Sequence, residues 1–364
     1  MSKKLSALDR RSFLKLGAAA SAVSALPFTG RPAFAAADEV YWLTWENLAK
    51  PEYLKPYLDA GGTPIKKGFI GSDDEQFAKL RAGGGSEWDL ITPGIDKTEL
   101  YIASGLLQPL DLSLIPNAAH RYAPFMKTPL GKKDGDTYAL PFYWGINPIV
   151  YRADLMDNEP DWSTLFEGEK YKGRLAMRDY ALEGIVIAAM YVGIPRDQLF
   201  KLGDKELAEC KKALLAQKKL LRTYWNSIGD LTNLFASGEV VCAFSWVPPY
   251  YDLKARGLDM GMAKPKAGVI GWCDSLAIPA QSSEDGAKAA HGLINYLLGP
   301  DYGKLLAVGG PYAQSTDIAR SSLSEEQQER IFVKDLAIMD SFVWKENPAN
   351  YGDWVRMWNE VKAS

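Results

Sequence analysis

Three tryptophans stand just beyond predicted β-strands: Trp45 after Val40–Leu43, Trp246 after Val240–Phe244, and Trp272 two residues before Asp274. An ammonium over an indole face gains ~0.5–2 kcal/mol. A carboxylate in the same cleft supplies the full counter-charge. Open α/β sheets bind ligands beyond the carboxyl ends of their strands. These residues therefore describe a box for a small organic cation. Core packing is the competing use of each indole taken singly.

Other chemistries find little support. His120 and His291 are the two histidines, and no His/Cys/Asp set has metal-ligand spacing. The segment Gly299–Lys304 has one residue too few for a phosphate loop and carries Leu305 where a hydroxyl is needed, so it reads as a helix terminus. GxSxG and GxGxxG are absent. No motif calls for a cofactor. The adjacent phenols Tyr250 and Tyr251 suit a hard cation such as ferric iron, but Pro248-Pro249 precede them in what reads as a helix. Cys210, Cys242 and Cys273 are odd in number and lack CxxC spacing, which predicts buried free thiols.

The elements that must hold the box read β-α-β-α-β at first. Val40–Leu43 and Ile65–Ile70 are strands. Ser72 to Glu75 is a capping box opening a helix to Ala82. Trp88–Ile91 is a third strand, and Asp96 to Glu99 opens a short helix. Alternation of this kind predicts a parallel sheet covered on both faces. Pro148–Tyr151 reads as a strand entering a second lobe, followed by helices near 182–192 and 204–222. With no flexible linker, short crossing strands are expected to form a hinge. The expected division is 36–141 plus 274–310 for lobe 1, and 142–273 plus 311–364 for lobe 2.

The N-terminus reads as an export signal. Lys3, Lys4, Arg10 and Arg11 precede an apolar stretch from Phe13 to Phe28, and Ala33-Phe34-Ala35 is a small-x-small cleavage site. Asp9-Arg10-Arg11-Ser12-Phe13-Leu14-Lys15 matches the twin-arginine motif, which names the twin-arginine export machinery as a partner. Cleavage after Ala35 takes six of the 42 basic residues and one of the 45 acids, so the charge of −3 becomes −8. An acidic chain of this kind is a poor match for nucleic acid and suits cations.

With these residues in view, the chain resembles the bacterial extracellular solute-binding proteins of the spermidine/putrescine class from Val40 to Lys345. Trp272-Cys273-Asp274-Ser275-Leu276-Ala277-Ile278-Pro279 carries the resemblance most specifically. Gly238-Glu239-Val240 leading to Trp246, Trp88–Pro93, Leu140–Gly145 and Tyr171-Lys172-Gly173 add to it. The resemblance implies a type II periplasmic-binding-protein fold with hinge crossovers, periplasmic location, and delivery of a small amine to an ABC permease. It implies binding roles for Trp45, Glu183, Trp246, Trp272, Asp274 and Tyr312.

The chain also departs from the family pattern. Tyr180 stands for the first of two acids at a helix start. Asn47, or Glu46 in another register, stands near an expected acid. Lys345 replaces a glutamine, and Gly94 replaces a serine. Fewer carboxylates favour putrescine, a monoamine, or a zwitterion whose carboxylate meets Lys345 or Arg178. A zwitterionic amine or amino acid is thus the nearest alternative ligand. An exported enzyme on two α/β lobes is the alternative of another class.

Overall fold

The computed structural model describes residues 37–128 and 130–364. The expected export signal lies outside the described residues. The strands, in chain order, are β1 Val40–Thr44, β2 Ile65–Phe69, β3 Leu90–Ile91, β4 Lys132–Lys133, β5 Asp136–Thr137, β6 Ala139–Asn147, β7 Ile149–Arg152, β8 Leu175–Arg178, β9 Leu221–Trp225, β10 Cys242–Phe244, β11 Met260–Ala263, β12 Val269–Ala277, β13 Ala313–Gln314 and β14 Phe342–Trp344.

Two sheets result. The larger runs β13-β6-β12-β3-β1-β2, with β14 also paired to β12; the smaller runs β11-β7-β10-β8-β9. The first three strands pair in parallel, as alternation with helices predicts. Beyond those three strands the sheet is mixed, because β12 lies antiparallel to both β6 and β3. β12 returns to this sheet from β11 of the smaller one without a helical crossover, so its direction is free.

Pro148 separates β6 from β7. A proline cannot donate to a ladder, so the chain leaves one sheet there and enters the other. Beyond it the strands pair on separate sheets. β6 and β12 run unbroken past residues 141 and 273, and 313–344 joins the larger sheet. The C-terminal helix Tyr351–Ala363 instead buries Trp354, Trp358 and Val361 in the core of the smaller sheet. We therefore propose crossovers at 147–149, 263–269 and 344–351, in place of boundaries at 141, 273 and 310.

Local expectations fare unevenly. Ser72 Oγ accepts from Glu75 N at 3.1 Å, but Glu75 reaches back to Gly71 N at 2.8 Å, one residue short of a reciprocal box. The helix expected over 204–222 ends at Lys218. The β-favouring Thr223-Tyr224-Trp225 then form β9. Cys210, Cys242 and Cys273 are buried free thiols. Among the described residues no helix is long and apolar enough to cross a membrane.

Candidate functional site

Each wall of the cleft is built from strand ends. On the larger sheet, Trp272 of β12 lies opposite Gly145 of β6. A Cβ at Gly145 would stand 2.6 Å from the Trp272 ring and 3.0 Å from Tyr312, so glycine is what lets the indole lie flat across the strand. Tyr143 and Tyr312 meet Trp272 edge to face at 5.2 and 5.1 Å. The register of β12 breaks between Asp274 and Ser275. Such a bulge re-aims a side chain, and it sets Asp274 opposite Gly94 in an isolated bridge.

Two carboxylates that the sequence reading missed complete this wall. Asp73 accepts from Gly94 N at 2.9 Å. A Cβ at Gly94 would stand 2.9 Å from Asp96 Oδ1 and 3.5 Å from Asp73 Oδ2, so both acids converge where a side chain would sit. Their sequence roles as helix openers masked them. The signal that marks them is Gly94 itself, because a residue without a Cβ leaves space for the two oxygens.

Crowding three carboxylates in a buried place is costly. Burial, then the Asp73 charge, raises the Asp274 carboxyl to about 8, against relief from Lys345 and a hydrogen bond from Tyr143. Burial and the Asp96 charge also raise Asp73. Burial and Asp274 push the Tyr143 phenol well above its ordinary range. One wall is thus charged with acid and poised to take up or release protons. Among the described residues no three His, Cys, Asp or Glu side chains close to metal-ligand distance.

The opposite wall is different in kind. Arg178 ends β8, Tyr180 caps the helix Ala181–Tyr191, and Glu183 lies in its first turn. Glu183 is 1% exposed. Arg178 Nη1 donates to it at 2.8 Å, and Asn147 Nδ2 donates at 2.8 Å. The helix N-terminus also favours a negative charge there. The guanidinium of Arg178 lies 4.3 Å from the Trp246 ring and 4.8 Å from Tyr180. Trp246 is braced at right angles by Trp225, 5.5 Å away.

The two walls meet through the crossovers. Trp272 Nε1 donates to Asn147 Oδ1 at 3.0 Å, so Asn147 links the indole of one lobe to Glu183 of the other. Lys345 follows β14, and its backbone N–H is held by Gly271 at 3.1 Å. Its Nζ stands 4.0 Å from Glu183. Burial alone would lower the lysine, yet Asp96, Glu183 and Asp73 together raise it above its ordinary value. Asp96 and Lys345 also border a cavity of about 500 Å³ walled by Phe125, Pro141 and Trp344.

The expected residues divide accordingly. Trp272, Asp274 and Tyr312 come together on one wall; Tyr180, Glu183 and Trp246 come together on the other; Lys345 stands between. Glu46 and Asn47 are exposed in a single 3-10 turn that turns both side chains to solvent. Trp45 packs between the two cores of the larger sheet, and its indole N–H is buried with no hydrogen-bond partner among the described residues. The phenols considered for iron are otherwise occupied: Tyr251 donates to Arg330 O at 3.1 Å, and Tyr250 accepts from Lys254 at 3.2 Å.

Two α/β lobes with hinge crossovers define a type II periplasmic-binding-protein fold. The same architecture is found in the spermidine/putrescine ABC transporter substrate-binding protein PotD of Streptococcus pneumoniae. It superposes with a TM-score of 0.76 at 19% identity, over 90% of this chain and 99% of that one. The chain belongs to the bacterial extracellular solute-binding protein family, which it matches over residues 52–327. The Spermidine/putrescine-binding periplasmic protein of Escherichia coli is 27% identical over 293 residues, 79% of this chain and 81% of its own length. A Putrescine/cadaverine-binding protein of Pseudomonas aeruginosa is 25% identical over 258 residues, 67% of this chain and 70% of its own.

Proposed function

We propose that this protein is the solute receptor of an ABC importer, catching a small organic amine between its lobes outside the cytoplasm and handing it to the permease. The observation that carries this reading is the acidic aromatic wall, where Asp73, Asp96 and Asp274 crowd beside Trp272, Tyr143 and Tyr312. Carboxylates held this close resist joint ionisation until a cation arrives. An ammonium supplies that cation, and the aromatic rings cover its methylenes. Ligand touching both walls stabilises only the closed arrangement, which is how binding closes the lobes. The relatives named for polyamines support the amine class.

The test is thermal denaturation of residues 36–364 with a panel of amines. A solute at 100-fold over its Kd stabilises by about 2.7 kcal/mol. No shift from any ammonium compound at millimolar concentration would remove the amine reading. An exported enzyme would consume its solute, whereas a receptor returns it chemically unchanged; quantifying recovered solute separates the two. Export by the twin-arginine route, with cleavage near Ala35, is tested by replacing Arg10-Arg11 with Lys-Lys, which should trap the precursor inside the cell.

A further inference from the structure

The basic groups of the cleft narrow the solute further. This step rests on the amine-receptor reading. Arg178 covers Trp246 and Tyr180, so the aromatic seat of the second wall is already taken by a cation of the protein itself. Its single carboxylate contact is Glu183, and a guanidinium has five donors. The Lys345 side chain is 17% exposed, with Glu183 as the one carboxylate within 4.0 Å of its Nζ and no hydrogen bond from Nζ among the described residues. Both cations thus keep donors without a hydrogen-bond partner among the described residues. Lys97, which is buried, is otherwise engaged: it donates to Asn347 at 2.9 Å and lies 4.7 Å from the Tyr351 ring.

A diamine laid across this cleft would bring its second ammonium against Arg178 and Lys345. Like charges in a partly desolvated seam repel strongly. A carboxylate there gains two charge-assisted partners instead. We infer that the solute is an amino-carboxylate, its ammonium seated by Asp274 and the Trp272-Tyr143-Tyr312 cluster and its carboxylate held between Arg178 and Lys345. Lys345 is then the specificity-determining residue, a tethered ammonium standing where a polyamine would place one of its own.

An isosteric series tests this: putrescine, 4-aminobutyrate and butylamine, each titrated calorimetrically into the mature protein, with 5-aminopentanoate and cadaverine as the longer pair. The carboxylate member should bind at least about tenfold tighter than the diamine of equal length. Lys345→Gln should reverse that order, the diamine gaining and the amino-carboxylate losing. Lys345→Arg should restore preference for the carboxylate. A wild-type protein that prefers the diamine overturns the inference while leaving the amine receptor standing, and this comparison needs no variant to fold. A preference that Lys345→Gln does not move overturns the role of Lys345. If none of the five compounds binds, both readings fall together.

Discussion

Arg178 donates to Glu183 at 2.8 Å while its guanidinium lies 4.3 Å from the ring of Trp246. One side chain thus neutralises a buried acid and fills an aromatic seat. Glu183 is therefore a structural counter-ion of the second wall before it is anything else, and the acid we propose for a solute's ammonium is Asp274 across the cleft.

Replacing Glu183 with Gln keeps the shape and removes the charge. Arg178 and Lys345 then lose their shared partner, and two cations face one another. Breaking a buried pair costs about 3–5 kcal/mol. Arg178 is partly exposed, so the loss should fall near or below the lower end, roughly 2–3 kcal/mol by urea denaturation. A change within about 0.5 kcal/mol would show that water already solvates the guanidinium.

The free protein and the complex should respond to pH in opposite senses. The folded Asp274 carboxyl sits at about 8, above its ordinary value of 3.8. A carboxyl raised by folding contributes stability at low pH that is lost as pH rises toward the folded value. The unliganded protein should therefore melt at progressively lower temperature from about pH 5 to pH 8. A bound ammonium favours the ionised acid, so affinity should rise over the same range, with net proton release. Calorimetry in two buffers of different ionisation enthalpy measures that release. Affinity flat between pH 6 and 8 would place the ammonium elsewhere.

Gly94→Ala probes the missed acids. Gly94 has φ −55° and ψ 136°, ordinary for any residue, so its backbone tolerates a side chain. The added methyl would stand 2.9 Å from Asp96 Oδ1, and that carboxylate must swing away. The variant should fold with nearly unchanged melting temperature and bind amine about tenfold or more weakly, a loss of ~1.4 kcal/mol. Unchanged affinity would remove Asp73 and Asp96 from the site.

Much of this was legible in the sequence because it follows from local pattern. Tryptophans at strand ends and the Trp272–Pro279 segment pointed to an aromatic-lined cleft. Asp73 and Asp96 were not legible, since each opens a helix and that duty explains an acid on its own. Their convergence is a product of Gly94, more than twenty residues from Asp73. The exposed Glu46 and Asn47 mark the converse: an acid expected beside Trp45 by alignment lies in a turn that faces outward. Arg178 was visible only as a partner for a ligand carboxylate. Its seat on Trp246 depends on β8 and β10 lying side by side, which no local pattern states.

Trp45 offers a last separation of fold from function. Its neighbour Trp42 donates its indole N–H to Thr92 Oγ1 at 2.9 Å, whereas the Trp45 N–H is buried without a partner among the described residues. An unpartnered buried donor costs about 1–3 kcal/mol. Trp45 follows β1, and we propose that a bound solute supplies the acceptor this donor lacks. Trp45→Phe retains most of the ring and deletes the donor. Stability without solute should stay level or rise by up to about 1 kcal/mol, because the unmet donor is gone. Affinity for the solute should fall. The opposite pattern, stability reduced and affinity intact, would assign the indole to packing between the two cores of the larger sheet.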